Sequence, residues 1–175
     1  MPFTPIHMGP AMLLKALLQG AFSLIIFGWC QVLMDIQPLV VLISGEGQLH
    51  GFSHTFVGST GIAVIAVITG KPLLEWLLQS GWLVGRQADI KLFELDRRLS
   101  WGVAVASAFT GSYLHVLLDG MMHADLQPFF PLNSDNPFLY LLRADILQAL
   151  CLIAGAVGLI VYILFRRMKH WASDI

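Results

Sequence analysis

The residues of this chain able to do chemistry are its histidines and carboxylates, and they fall in a few short stretches. His115 and Asp119 form a His-x-x-x-Asp pair at the end of an apolar run. Residues four apart share one face of a helix, so both side chains could reach one ion. A carboxylate next to hydrocarbon is costly without a partner, which makes an ionisable group at membrane depth a functional candidate. Taken alone, the pair reads equally as an aspartate at a helix end hydrogen-bonded to a histidine.

The stretch Leu49-His50-Gly51-Phe52-Ser53-His54-Thr55 is the second element. Ser53 is placed to N-cap a following helix, which would put His54 in its first turn. Asp35 follows an apolar run, and Ile36-Gln37-Pro38 is expected to end that run's helix. His7 lies in a short polar and proline-containing N-terminus. Each of these alone reads as a polar residue at a helix start or in a loop. Together, His7, Asp35, His54, His115 and Asp119 could meet at one end of a bundle. Mixed imidazole and carboxylate ligands suit zinc, with iron, manganese or nickel as alternatives. His50, Glu46 and His123 are the candidates to move protons beside such an ion. His170, in a basic tail, reads as a surface residue.

The elements that must carry these residues belong to a membrane. Of the 175 residues 57% are hydrophobic and 12% charged, with a mean hydropathy of +0.74. Soluble domains carry about a quarter charged residues. The net charge of −1 gives no basic footprint for nucleic acid. Cys30 and Cys151 sit inside apolar runs and read as small buried hydrophobes. The N-terminus has no basic residue before the first apolar stretch, so no cleavable signal peptide is expected.

Four apolar regions stand out, at 10–33, 55–69, 101–118 and 144–165. A spanning helix needs about 20 apolar residues. The fourth region meets this and the third nearly does. The second is short but could continue past Pro72 into 73–78. The first is either one span or a hairpin turning at Gln19-Gly20, where glycine can supply a left-handed cap. The hairpin would return Asp35 to the level of His7. The expected fold is an all-α integral membrane bundle, a single domain over 1–175, with an N-terminal helical hairpin plus three main apolar helices.

With the hairpin, Lys15, Lys71, Arg86, Lys91, Arg97, Arg98, Arg166, Arg167 and Lys169 fall on one side and only Arg143 on the other. The positive-inside rule makes the richer side cytoplasmic. Residues 71–100 would be a cytoplasmic amphipathic connector and 166–175 a basic cytoplasmic tail. Trp82, Trp101 and Trp171 fit an aromatic belt there. All histidines but His170 fall on the opposite, non-cytoplasmic side.

The order of an N-terminal His7, Asp35 before a proline, His50-Gly51-Phe52-Ser53-His54-Thr55, and Tyr113-Leu114-His115-Val116-Leu117-Leu118-Asp119 followed by Pro128-Phe129-Phe130-Pro131 resembles the membrane-bound metal-dependent hydrolases. Those are small bacterial inner-membrane proteins, distantly similar to zinc-dependent phospholipase C. The resemblance implies that His7, Asp35, His54, His115 and Asp119 bind one or two divalent ions, and that His50 is a neighbouring catalytic or second-site residue. Where that family often carries a second acid, two residues past Asp35, this chain has Gln37. The implied activity is hydrolysis of a phosphoester or ester of a lipid or lipid-linked substrate. The aromatic loop at 126–142 could lie in the headgroup layer over the site. The competing expectation is a non-catalytic membrane protein that binds metal for sensing, transport or assembly.

Overall fold

The structure, a computed structural model, describes residues 5–80 and 98–173. It is helical, with no strand among the described residues. After a short 3-10 turn at Pro5–His7 come α1 (Met8–Leu18) and α2 (Leu24–Ser44), joined by a tight turn through Gln19–Ala21. A second 3-10 turn, Phe52–His54, leads into α3 (Phe56–Gln79). Then follow α4 (Trp101–Met122) and α5 (Ala144–Ser173). Four of these, α2 to α5, are long and apolar enough to cross a membrane. The hairpin is therefore present, with unequal arms. The 11 residues of α1 rise about 16 Å, half a bilayer, whereas the 21 of α2 can cross it.

Hydroxyl residues begin three of the four long helices. Ser23, Thr55 and Ser100 accept hydrogen bonds from the backbone N–H groups of Ile26, Gly58 and Val103. These caps satisfy amides that a helix start leaves bare. Thr55, not the expected Ser53, caps α3. His54 consequently sits in the turn before the helix rather than in its first turn.

Both prolines expected to shape helices lie inside them. Pro72 is part of α3, which runs on to Gln79 as the apolar residues beyond it allow. Pro38 does not end α2 as expected. A proline removes one amide donor, and the apolar 39–43 keeps the helix going until Gly45, at φ 73°, caps it. Asp35 therefore lies well inside a helix.

Residues 71–79, read as the start of a connector, are the last turns of α3, and the basic segment after Phe165 prolongs α5 to Ser173. Most of the connector, 81–97 with Trp82, Arg86, Lys91 and Arg97, lies outside the described residues.

Helices α2, α3 and α4 pack around Ile26, Cys30, Ala63, Ala66, Ala104 and Ala108. Helix α1 lies along α5. A Cβ on Gly9 would overlap the Cys151 carbonyl, and one on Gly158 would lie 2.5 Å from the Leu13 nitrogen. Small residues let backbones approach closely where lipid offers no hydrophobic drive to associate. Outward-facing Leu152, Ile153, Leu159, Ile160 and Leu164 give α5 an apolar exterior. Lys15 and Arg98 line one cavity of about 340 Å³ with Leu74 and Tyr162, at the end where α1 turns into α2. His7, His50, His54, His115 and His123 lie at the other end.

Candidate metal centre

Four elements deliver five side chains to one buried cluster. The first 3-10 turn supplies His7, α2 supplies Asp35, the second 3-10 turn supplies His54, and α4 supplies His115 and Asp119. All five are buried, His54 and His115 to 1% and 2% exposure. Asp119 is the hub. His7 Nε2 lies 3.6 Å from its Oδ1, while His54 Nε2 and His115 Nε2 lie 3.7 and 3.1 Å from its Oδ2. His115 Nε2 is also 3.5 Å from Asp35 Oδ1. The imidazoles of His7 and His54 meet that of His115 edge-on, at centroid distances of 5.1 Å.

Despite these approaches, Nε2 of His7, His54 and His115 makes no hydrogen bond. A buried nitrogen without a partner is costly and calls for an explanation. A cation supplies one. Bonds of about 2.0–2.2 Å in a tetrahedral site place neighbouring donor atoms about 3.3–3.6 Å apart. The spacings of 3.1–3.7 Å around Asp119 bracket that edge length. Two overlapping trios, His7–His115–Asp119 and Asp35–His54–His115, each have donor atoms close enough for one ion. Buried His and Asp groups that could hold a metal are thus a property of this fold.

The outer nitrogens of two histidines are committed elsewhere. His115 Nδ1 donates to Gln31 Oε1 at 2.6 Å, and Gln31 Nε2 in turn donates to the Gly111 carbonyl at 2.9 Å. The second bond fixes which way the Gln31 amide faces, so Gln31 offers only an acceptor to His115. His54 Nδ1 donates to Ser53 Oγ at 2.9 Å, whose hydroxyl donates to Gln37 Oε1 at 2.6 Å. Both arrangements place the proton on Nδ1 and leave Nε2 as a lone pair aimed at Asp119. Metal-ligating histidines are oriented in this way by their second nitrogen. Gln37, at the position of a missing acid, is thus a support for His54.

Burial pulls the His7 imidazole down to about 4 against the opposing pull of Asp119. Burial and the neighbouring His115 take His54 down to about 3. Both are neutral near pH 7, the state a ligand needs.

A third group stands at the rim. His50 Nδ1 lies 3.0 and 2.9 Å from the two oxygens of Asp125, and the His50 ring stacks on His123 at 4.1 Å. His50 also adjoins His54, with ring centroids 5.2 Å apart. Glu46 does not join these groups and is exposed on the loop between α2 and α3. The loop after α4 is anchored by Asn136, which donates to the Gly120 carbonyl, and by Phe138, which packs on Gly120. Its buried Leu126 meets Met34 and Val116, while Leu132 and Tyr140 face outward.

Gln31, the Ser53–Gln37 pair and Asp125 were missed from the sequence as parts of the site. A signal existed for Gln31: it is an amide in a spanning run, one helical turn before Asp35. Comparison with family models, curated proteins and solved structures finds no match.

Proposed function

We propose that this chain is a membrane-bound metal-dependent hydrolase that cleaves a phosphoester or ester of a lipid or lipid-linked substrate. The observation that carries the reading is the convergence of three unpartnered, buried Nε2 atoms on Asp119. Zinc suits the donor set of three imidazoles and two carboxylates. When bound, a divalent ion supplies Lewis acidity, acidifying water and polarising the scissile bond.

The chain's own residues do the rest. Gln31 and Ser53 hold His115 and His54 in the tautomer that presents Nε2. Both Asp119 oxygens face histidine nitrogens, whereas Asp35 approaches only that of His115. Asp35 is therefore the carboxylate with an oxygen left to accept a proton from attacking water. The exposed Leu49, Phe52, Phe129 and Phe130 form an apolar rim suited to the headgroup layer and to a lipid chain. By the positive-inside rule the site faces the periplasm of a bacterial inner membrane, with the C-terminus cytoplasmic.

The burial of the donor atoms favours a second reading, because closed sites suit structural ions and catalytic ones keep an open position. In that reading the ion holds the bundle together for sensing, transport or assembly. Turnover separates the two. Chelator-treated protein in mixed micelles of phospholipid and detergent should be inactive and regain phosphoester or ester hydrolysis on adding zinc. Restored thermal stability with no hydrolysis across a panel of lipid esters would favour the structural ion.

A further inference from the structure

The rim group has its own chemistry. His50 lies in the loop after α2, while His123 and Asp125 follow α4 directly, so the group joins two segments far apart in sequence. One donor atom from each of the three lies within 4.8 Å of the others. The inner trios have the same closeness but are sealed. Here the Asp125 side chain is 52% exposed while that of His50 is 9% exposed. Such a setting keeps positions open to water.

The internal spacing also differs from the inner cluster. His50 Nδ1 sits 2.9–3.0 Å from both Asp125 oxygens. Bonds of about 2.1 Å at right angles, as in an octahedral site, place neighbouring donors about 3.0 Å apart. Without an ion, the same contact is a hydrogen bond from Nδ1–H to the carboxylate.

We propose that His50, His123 and Asp125 form a second divalent-cation site at the mouth of the inner cluster, open to water and more readily exchanged than the inner one. This gives His50 the second-site role that the resemblance implied beside its catalytic one, gives His123 a ligand role where its sequence suggested proton transfer, and adds Asp125, which spacing did not single out. An ion taken at Nδ1 of His50 requires the tautomer with the proton on Nε2, so binding moves that proton within the ring and releases none from a neutral histidine. The carboxylate turns from hydrogen-bond acceptor to ligand. The mouth site adjoins the inner cluster through His50 and His54. An ion there would lie where an anionic headgroup meets the rim. This inference concerns binding alone and does not require that the protein be a hydrolase.

Cobalt(II) titration of the chelator-treated, detergent-purified full chain tests it, with equilibrium dialysis to count ions. Wild type should take up two equivalents, one tight and one readily competed by a weak chelator. Asp125→Asn and His123→Ala should each take up one, with the tight equivalent unchanged. Both changes lie at the rim, and an unchanged melting temperature of the metal-free variants checks their folding. Asp119→Asn should lose the tight equivalent and keep the weak one. A wild type that takes up one ion, lost in Asp119→Asn and kept in His123→Ala, would overturn the proposal. So would two equivalents in both rim variants. One ion lost in the rim variants and kept in Asp119→Asn would instead sink the inner site and leave this one standing.

Discussion

At the scale of single residues, the inner cluster is built on buried nitrogens that have nowhere else to go. His115 is held by Gln31 from behind and faces Asp119 and Asp35 in front. Gln31→Leu keeps the volume and removes the acceptor, freeing the tautomer and the ring. Removing such a partner typically costs about 10–100-fold in metal affinity. Competition with a chromogenic chelator should show a loss of that order, with helical circular dichroism intact; an unchanged affinity would contradict the orienting role. The five inner donors were legible in the sequence because ionisable residues in apolar surroundings are conspicuous. Gln31 was less so, since an uncharged amide costs less to bury. The Ser53 hydroxyl was read as a helix cap because its residue type favours one. It serves His54 instead, and Thr55 takes the cap.

At the scale of elements, the half-length α1 is what places His7. It has only 11 residues and relies on α5, against which Gly9 packs backbone to backbone. Gly9→Val would force the two helices apart at the residue second from His7. Overpacking of this kind costs about 1–3 kcal/mol. The melting temperature should fall and metal affinity should drop with it, whereas Gly61→Ala, which has open space around it, should change neither. An equal effect of both substitutions would argue that α1 does not position the site. The hairpin itself was half legible. Gln19-Gly20 marked the turn, but sequence could not choose between a hairpin and one long span because both keep the same apolar residues. Pro38 misled because a proline usually marks a boundary. In α2 the lost donor is a single bond, and the exposed apolar turns beyond it at Leu39, Val40, Leu42 and Ile43 suit a hydrocarbon surround, where a helix keeps its backbone groups bonded.

At the scale of the whole molecule, the bundle has two unlike ends. Lys15 and Arg98 line the cavity at one, and the His and Asp groups fill the other. That polarity was readable from charge once the first region was taken as a hairpin, because α1 and α2 return the chain to the end where it began. The proposed orientation, with the Lys15 end cytoplasmic, rests on the positive-inside rule. Alkaline phosphatase fused after Arg166 should be inactive in a bacterial host, and active when fused at Leu132; the reverse pattern would invert the topology. The claim on which everything else depends is that the inner cluster holds a metal. Elemental analysis of the detergent-purified chain, prepared without chelator, tests it most directly. Wild type should carry a divalent transition metal, and Asp119→Asn, folded by circular dichroism, should carry at least one equivalent less. A wild type free of metal even after incubation with zinc, or an Asp119→Asn variant as fully loaded as wild type, would contradict the account.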